Sequence, residues 1–156
     1  MLKEQLISEL DRIYTFFSNT IECLSEEDSE FTPADGTYTT AQHIAHTAQS
    51  IDWFIEGAFI NEQFDMNFEK HIADIKQTTS LTAAKEWLQK SIEKAKSILE
   101  SNSDGELLSP LPEGPVMGGA PRMAVIGGLA DHTAHHRGAL AVYARLLGKV
   151  PKMPYS

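Results

Sequence analysis

The stretch LADHTAHHRGALAVYARLLGKVPKMPY, residues 129–155, holds three of the chain's six histidines and then runs into Gly148, Pro151 and Pro154. Read as a helix, it stops where a helix should. Gly148 suits the left-handed C-terminal position and Pro151 blocks continuation. Pro121 suits the first turn, so the helix is predicted over about 121–147. His132 and His136 are four apart and project from one face about one turn from each other, a spacing that lets two imidazoles share one metal ion. One helix supplies only two such donors, so any others must come from elsewhere in the chain.

A second pair lies in TYTTAQHIAHTAQSIDWF, residues 37–54. Thr39 or Thr40 caps a helix running to about Gly57, with Ile44, Ala48, Ile51, Phe54 and Ile55 on its inner side. His43 and His46, three apart, fall roughly on one face. Two inward-facing histidine pairs point to a site, because a bundle core does not cheaply hold so many imidazoles without partners.

The rest of the chain supplies the frame. Leu2, Leu6, Leu10, Ile13, Phe17, Ile21 and Leu24 mark an amphipathic helix over about 2–24. Ser80 caps another to about Glu100, with Leu81, Ala84, Trp87, Leu88, Ile92, Ala95, Ile98 and Leu99 in phase. Between them the pattern weakens, leaving one short helix near Phe68–Ile75. Residues 103–120 are rich in breakers. Four long helices without strand alternation predict an all-α four-helix bundle occupying residues 1–156 as one domain. About 22 residues separate the second and third long helices, enough to run the length of the bundle, so an up-down-down-up path is expected.

Composition narrows the function. Asp and Glu outnumber Lys and Arg by 22 to 13, a net charge of -9 that repels nucleic-acid backbones and anionic lipid. No nucleic-acid or membrane partner is expected. Cys23 is the one cysteine, which excludes an internal disulfide or a CxxC pair. The N-terminal segment is too mixed in charge for a signal peptide, and no apolar run approaches the ~20 residues of a membrane span. A cytoplasmic location follows as the expectation.

Other polar residues have competing readings. Gln42 and Gln49 share the face of His46 and either orient a ligand ring or border the core. Tyr143 is in phase with His136 and either bonds a substrate or borders the core. His43 reads as a hydrogen-bonding support for a ligand rather than a ligand itself. His71 reads as a solvated surface residue, and His135 as one bordering solvent or a partner chain. Cys23, Trp53, Trp87 and Met123 read as packing. Arg137 is out of phase with the ligands and serves in a salt bridge, a dimer contact or an anion clamp. The segment 105–120 either lines the mouth of the site or is a plain crossover.

Together the two histidine segments resemble the DinB/YfiT-like superfamily of four-helix metalloproteins. In that family a histidine on the second helix, in a pattern like W-[ST]-x-x-x-x-x-x-H, joins the two histidines of H-x-x-x-H-R-G-Q on the fourth. Here Tyr38-Thr39 stands where Trp-Ser/Thr is usual, and His46, His132 and His136 match the three ligands. Arg137-Gly138 follows, and Ala139 replaces the common glutamine. The resemblance covers nearly the whole chain and implies a divalent metal on three histidines. It also implies chemistry of the kind its relatives carry out: thiol-dependent transferases and isomerases, alongside members regarded as hydrolases. Dimers are common in the family, so a homodimer is expected.

Three neutral histidines leave coordination positions open, as in a catalytic site. Imidazole suits zinc, nickel or iron, with zinc or nickel the expected ion. Thr133 stands where an HExxH zincin carries its general base, Asp131 points about 100° away from His132, and Asp52 lies on another side of its helix. No carboxylate is thus placed by spacing to deprotonate metal-bound water. This favours chemistry in which the metal itself activates the nucleophile, and the resemblance implies which: a metal-dependent S-transferase acting on a low-molecular-weight thiol with a small-molecule substrate. A metal-dependent hydrolase and a non-catalytic, stress-responsive metal-binding or small-ligand-binding protein are the alternatives.

Overall fold

The computed structural model describes residues 2–156. Four long helices form the body: α1 (Leu2–Ile21), α2 (Thr40–Phe59), α4 (Leu81–Ser101) and α6 (Ala124–Leu146). Two short ones, α3 (Phe68–Gln77) and α5 (Asp104–Leu108), lie in the connections, and a 3-10 turn spans Glu26–Asp28. Among the described residues there is no strand beyond a single bridge between Pro110 and Pro121.

The helices α2 and α4 start where the sequence provides a side-chain cap. Thr39 Oγ1 accepts from the Gln42 amide at 3.2 Å while Gln42 Oε1 accepts from the Thr39 amide at 3.2 Å, a reciprocal box that opens α2. Ser80 Oγ accepts from the Ala83 amide to open α4. The apolar stripe of α1 ends at Ile21, three residues sooner than its periodicity suggests, yet Leu24 still packs into the core from the following turn. At the other end of the chain, α6 begins at Ala124. Pro121 sits in a preceding turn whose carbonyl accepts from the Ala124 amide.

The path is up-down-down-up. The pairs Asp52–Trp87 and Glu56–Lys94 advance together along α2 and α4, so these neighbours are parallel. Asp11–Lys96 and Lys3–Glu100 run in opposite senses, so α1 and α4 are antiparallel. By the same test, His43–His136 makes α2 and α6 antiparallel once Phe54 is found beside Gly128. The helices α1 and α6 pack side by side and close the ring, leaving α1 diagonal to α2. A parallel α2–α4 pair requires a connection as long as the bundle, and residues 60–80, with α3 inside them, provide it.

Gly57 permits this crossover to seat. A Cβ there would lie 2.4 Å from the Phe64 ring, which instead packs against Trp53 and the end of α2. The second long connection is more ordered than its prolines and glycines suggest. Ser103 and Glu106 form a capping box for α5, and the Leu111 amide donates to the Ala120 carbonyl at 2.7 Å. Gly118 lies so close to the Gly114 backbone that a Cβ would stand 2.6 Å from it. This folds the segment back onto α6, where Met117 and Phe54 flank Gly128, one turn before His132.

Candidate metal centre

Where α2 and α6 meet, four imidazoles come together. Potential ligand nitrogens of His46, His132 and His136 all lie within 4.8 Å of one another. His136 is central: its ring centroid is 4.4 Å from that of His132 and 4.6 Å from that of His46, with the rings edge to face. Its Nε2 lies 3.1 Å from Nε2 of His132. On the other edge, its Nδ1 is 2.7 Å from Nε2 of His43. His43 is 8% exposed and stands behind the trio as a hydrogen-bond partner of His136.

The surroundings hold these rings neutral. Burial, then the charges that His46, His135 and His132 would carry, pushes His43 down to about 4. Burial and the neighbouring imidazoles of His46 and His135 likewise bring His132 to about 4. His136, buried and next to four other imidazoles, falls to about 2, while His46 is lowered by burial and His135. Neutral imidazole is the form that ligates metal.

The donor set fits a divalent ion. Nδ1 of His43, His46 and His132 is buried with no hydrogen-bond partner among the described residues. Rings whose main polar neighbours are one another are poorly satisfied, and an ion that takes their facing lone pairs relieves this. With a metal on Nε2 of His136, its Nδ1 must carry the proton, and Nε2 of His43 is placed to accept it.

The aromatic wall was only partly visible in the sequence. Tyr38 precedes the cap of α2, the position whose side chain folds over the first turn, and its ring lies 5.5 Å from His46 and 6.5 Å from His43. Burial raises its hydroxyl pKa. The ring of Tyr143 meets His43 edge-on at 5.2 Å.

The structure gives the remaining polar residues specific partners. Tyr143 gives its hydroxyl proton to the Tyr38 carbonyl at 3.0 Å, which leaves that oxygen only an acceptor for anything else. Both ends of the Gln42 amide are occupied, one in the α2 cap and the other donating to the Lys76 carbonyl, so it orients no imidazole. Gln49 borders a groove on the α4 side with Asp52 and Trp87. His71 is not freely solvated: its Nε2 lies 3.0 Å from the Asp65 carbonyl and its side chain is 14% exposed. His135 is exposed but sits edge-on to His136 at 4.9 Å, beside the cluster rather than away from it. Thr133 turns its hydroxyl back to the Leu129 carbonyl, and Asp52 accepts from the Trp87 indole. Neither supplies a base beside the histidines.

Comparison with known proteins agrees with this architecture. The DinB superfamily matches residues 9–140. Among solved structures, YfiT from Bacillus subtilis superposes with a TM-score of 0.68 at 17% identity, covering 94% of this chain and 88% of its own. That protein is described as a probable metal-dependent hydrolase with an unusual four-helix bundle topology. No curated protein sequence matches. Among the described residues no helix is long and apolar enough to cross a membrane. The match over most of its length, together with the shared bundle, shows that the chain belongs to the DinB superfamily.

Proposed function

We propose that His46, His132 and His136 hold a divalent ion, zinc or nickel, and that the protein is a metal-dependent enzyme joining a low-molecular-weight thiol to a small electrophile. The observation that carries this reading is the composition of the cluster: three imidazoles converge on it, and among the described residues no carboxylate shares it. A bound ion of this kind supplies Lewis acidity and stabilises a thiolate at neutral pH. The protein's own part is to keep the imidazoles neutral, to fix the His136 proton on Nδ1 through His43, and to wall one side with Tyr38. Thiol transfer suits the site because a bound ion would lower the pKa of a thiol enough for its proton to pass to solvent at neutral pH, with no adjacent carboxylate required.

Hydrolysis is the second reading. It is favoured by the likeness to YfiT and by the exposed imidazole of His135, which lies beside His136 where a base for water activation would be useful. The protein is further proposed to be a cytoplasmic homodimer that binds neither nucleic acid nor membranes. Exposed Val142 and Leu146 on α6 offer one apolar face for pairing.

Tag-free protein assayed for metal content, beside a His46→Ala/His136→Ala variant, tests the centre; equal occupancy in the two would remove it. Bacillithiol, mycothiol and glutathione offered with monochlorobimane then separate the reactions from each other. Metal-dependent adduct formation supports the transferase. Metal-dependent cleavage of an activated ester without thiol turnover supports the hydrolase, and a loaded but inert protein supports a binding role.

A further inference from the structure

The opposite side of α6 from the histidines carries a second feature. There a groove of about 340 Å³ runs between α6, the end of α1 and the C-terminal segment, a volume within the range of small-molecule sites. Its floor is Ala134, Gly138 and Ala141, where nothing larger than a methyl group rises, and Arg137 and Arg145 flank that strip on the same helix. Three cations, Arg137, Arg145 and Lys152, line it, and no carboxylate does, in a protein whose net charge is -9.

These cations are not spent on ion pairs. Among the described residues none of the three forms a salt bridge, whereas Arg12, Lys94, Lys96, Arg122 and Lys149 all do. The Arg137 guanidinium lies against the edge-to-face pair of Phe16 and Tyr155, 5.6 Å from the centroid of the first ring and 5.5 Å from that of the second. Its Nη1 is buried without an acceptor. Cation–π contact of this kind restrains a guanidinium while leaving its hydrogen bonds unclaimed. The wall that carries Tyr155 is itself anchored, because the Asn19 side chain donates to the carbonyls of Pro154 and Ser156 at 2.9 and 3.1 Å.

We infer that this groove is a binding site, separate from the histidine cluster, for a small organic anion: a carboxylate, sulfonate or phosphate monoester with an apolar body. The oxyanion pairs with Arg145 and Lys152 and with the preset guanidinium of Arg137, and the body lies on the alanine and glycine floor beneath the proline-rich segment. Charge complementarity selects the anion. The mainly apolar walls favour a substituted anion over inorganic phosphate.

Calorimetric titration of the metal-free full-length protein with phenyl phosphate tests this, with phenol and inorganic phosphate as controls. Saturable one-to-one binding of phenyl phosphate is expected, with no binding of phenol and binding of inorganic phosphate at least tenfold weaker. Arg145→Gln/Lys152→Gln, two substitutions outside the core, should weaken phenyl phosphate at least tenfold without moving the thermal midpoint. His46→Ala/His136→Ala should leave it unchanged. The inference is overturned if phenyl phosphate does not bind at millimolar concentration, if the double glutamine variant binds as well as the parent, or if the histidine variant abolishes binding. It is equally overturned if the groove is closed by a second copy, seen as a dimer that the glutamine variant dissociates.

Discussion

Replacing His43 with Leu separates a ligand from a residue that supports one. The imidazole of His43 is 8% exposed, and its Nε2 lies 2.7 Å from Nδ1 of His136. If the ion sits on Nε2 of His136, that hydrogen bond holds the ring in the ligating tautomer and orientation. Leucine fills a similar space but accepts no proton. Loss of such a support typically weakens metal binding about 10–100-fold, roughly 1.4–2.7 kcal/mol. The metal-free fold should tolerate the change, since the unpartnered Nδ1 of His43 is removed along with the lost bond. Zinc affinity measured by competition with a chromophoric chelator gives the first quantity, and urea unfolding of the metal-free protein gives the second. Affinity within twofold of the parent would refute the supporting role. A loss as complete as that of His136→Ala would refute it in the other direction, by making His43 a ligand.

Acid should destabilise the metal-free protein well above the usual carboxylate range. The folded-state pKa values of His43, His132 and His136 lie below the ordinary 6.5, at about 4, 4 and 2, so the unfolded chain takes up protons first and stability falls as the pH drops from 6.5 towards 4. One group contributes about 1.4 kcal/mol per pH unit; allowing for solvent at the half-exposed rings, a combined slope of about 2 kcal/mol per pH unit should appear in urea titrations between pH 6 and 4.5, and a flat profile would contradict it. Thr39→Ala removes the α2 cap and should cost about 1 kcal/mol in chemical unfolding. Gly57→Ala drives a methyl into the Phe64 ring and should cost about 1–3 kcal/mol. Gly127→Ala meets nothing within 4 Å in the helix and should instead gain about 1 kcal/mol, so equal thermal shifts for the two glycines would count against the packing described.

The long helices and the clustering of His132 with His136 were legible because both depend on local phase. A stripe in α1 or α4 needs only a face to bury, and the i, i+4 spacing of His132 and His136 fixes their common direction whatever lies opposite. Residues whose roles are set across the bundle were less readable. Gln42 lies on the face of His46 and also three residues after Thr39, and phase alone did not show that the cap would take its side chain. Tyr143 is in phase with His136, but the nearby Tyr38 carbonyl, which takes its hydroxyl, comes from a loop far away in the chain. The role of Arg137 depends on the C-terminal segment returning to place Tyr155 against Phe16. The helix α5 lay among breakers, where a five-residue element offers too little periodicity to recognise, although its Ser103-x-x-Glu106 box was present in the sequence.

The histidine trio is divided unevenly between local and long-range structure. His132 and His136 are neighbours on one turn of α6, whereas His46 reaches them only when α2 packs antiparallel against that helix. From this trio, α6 taken alone keeps a two-point chelate. The third donor is contributed by tertiary structure. Metal affinity in excess of that fragment therefore measures closure of the α2–α6 seam, and an ion bound by all three rings favours the one helix pairing that brings them together.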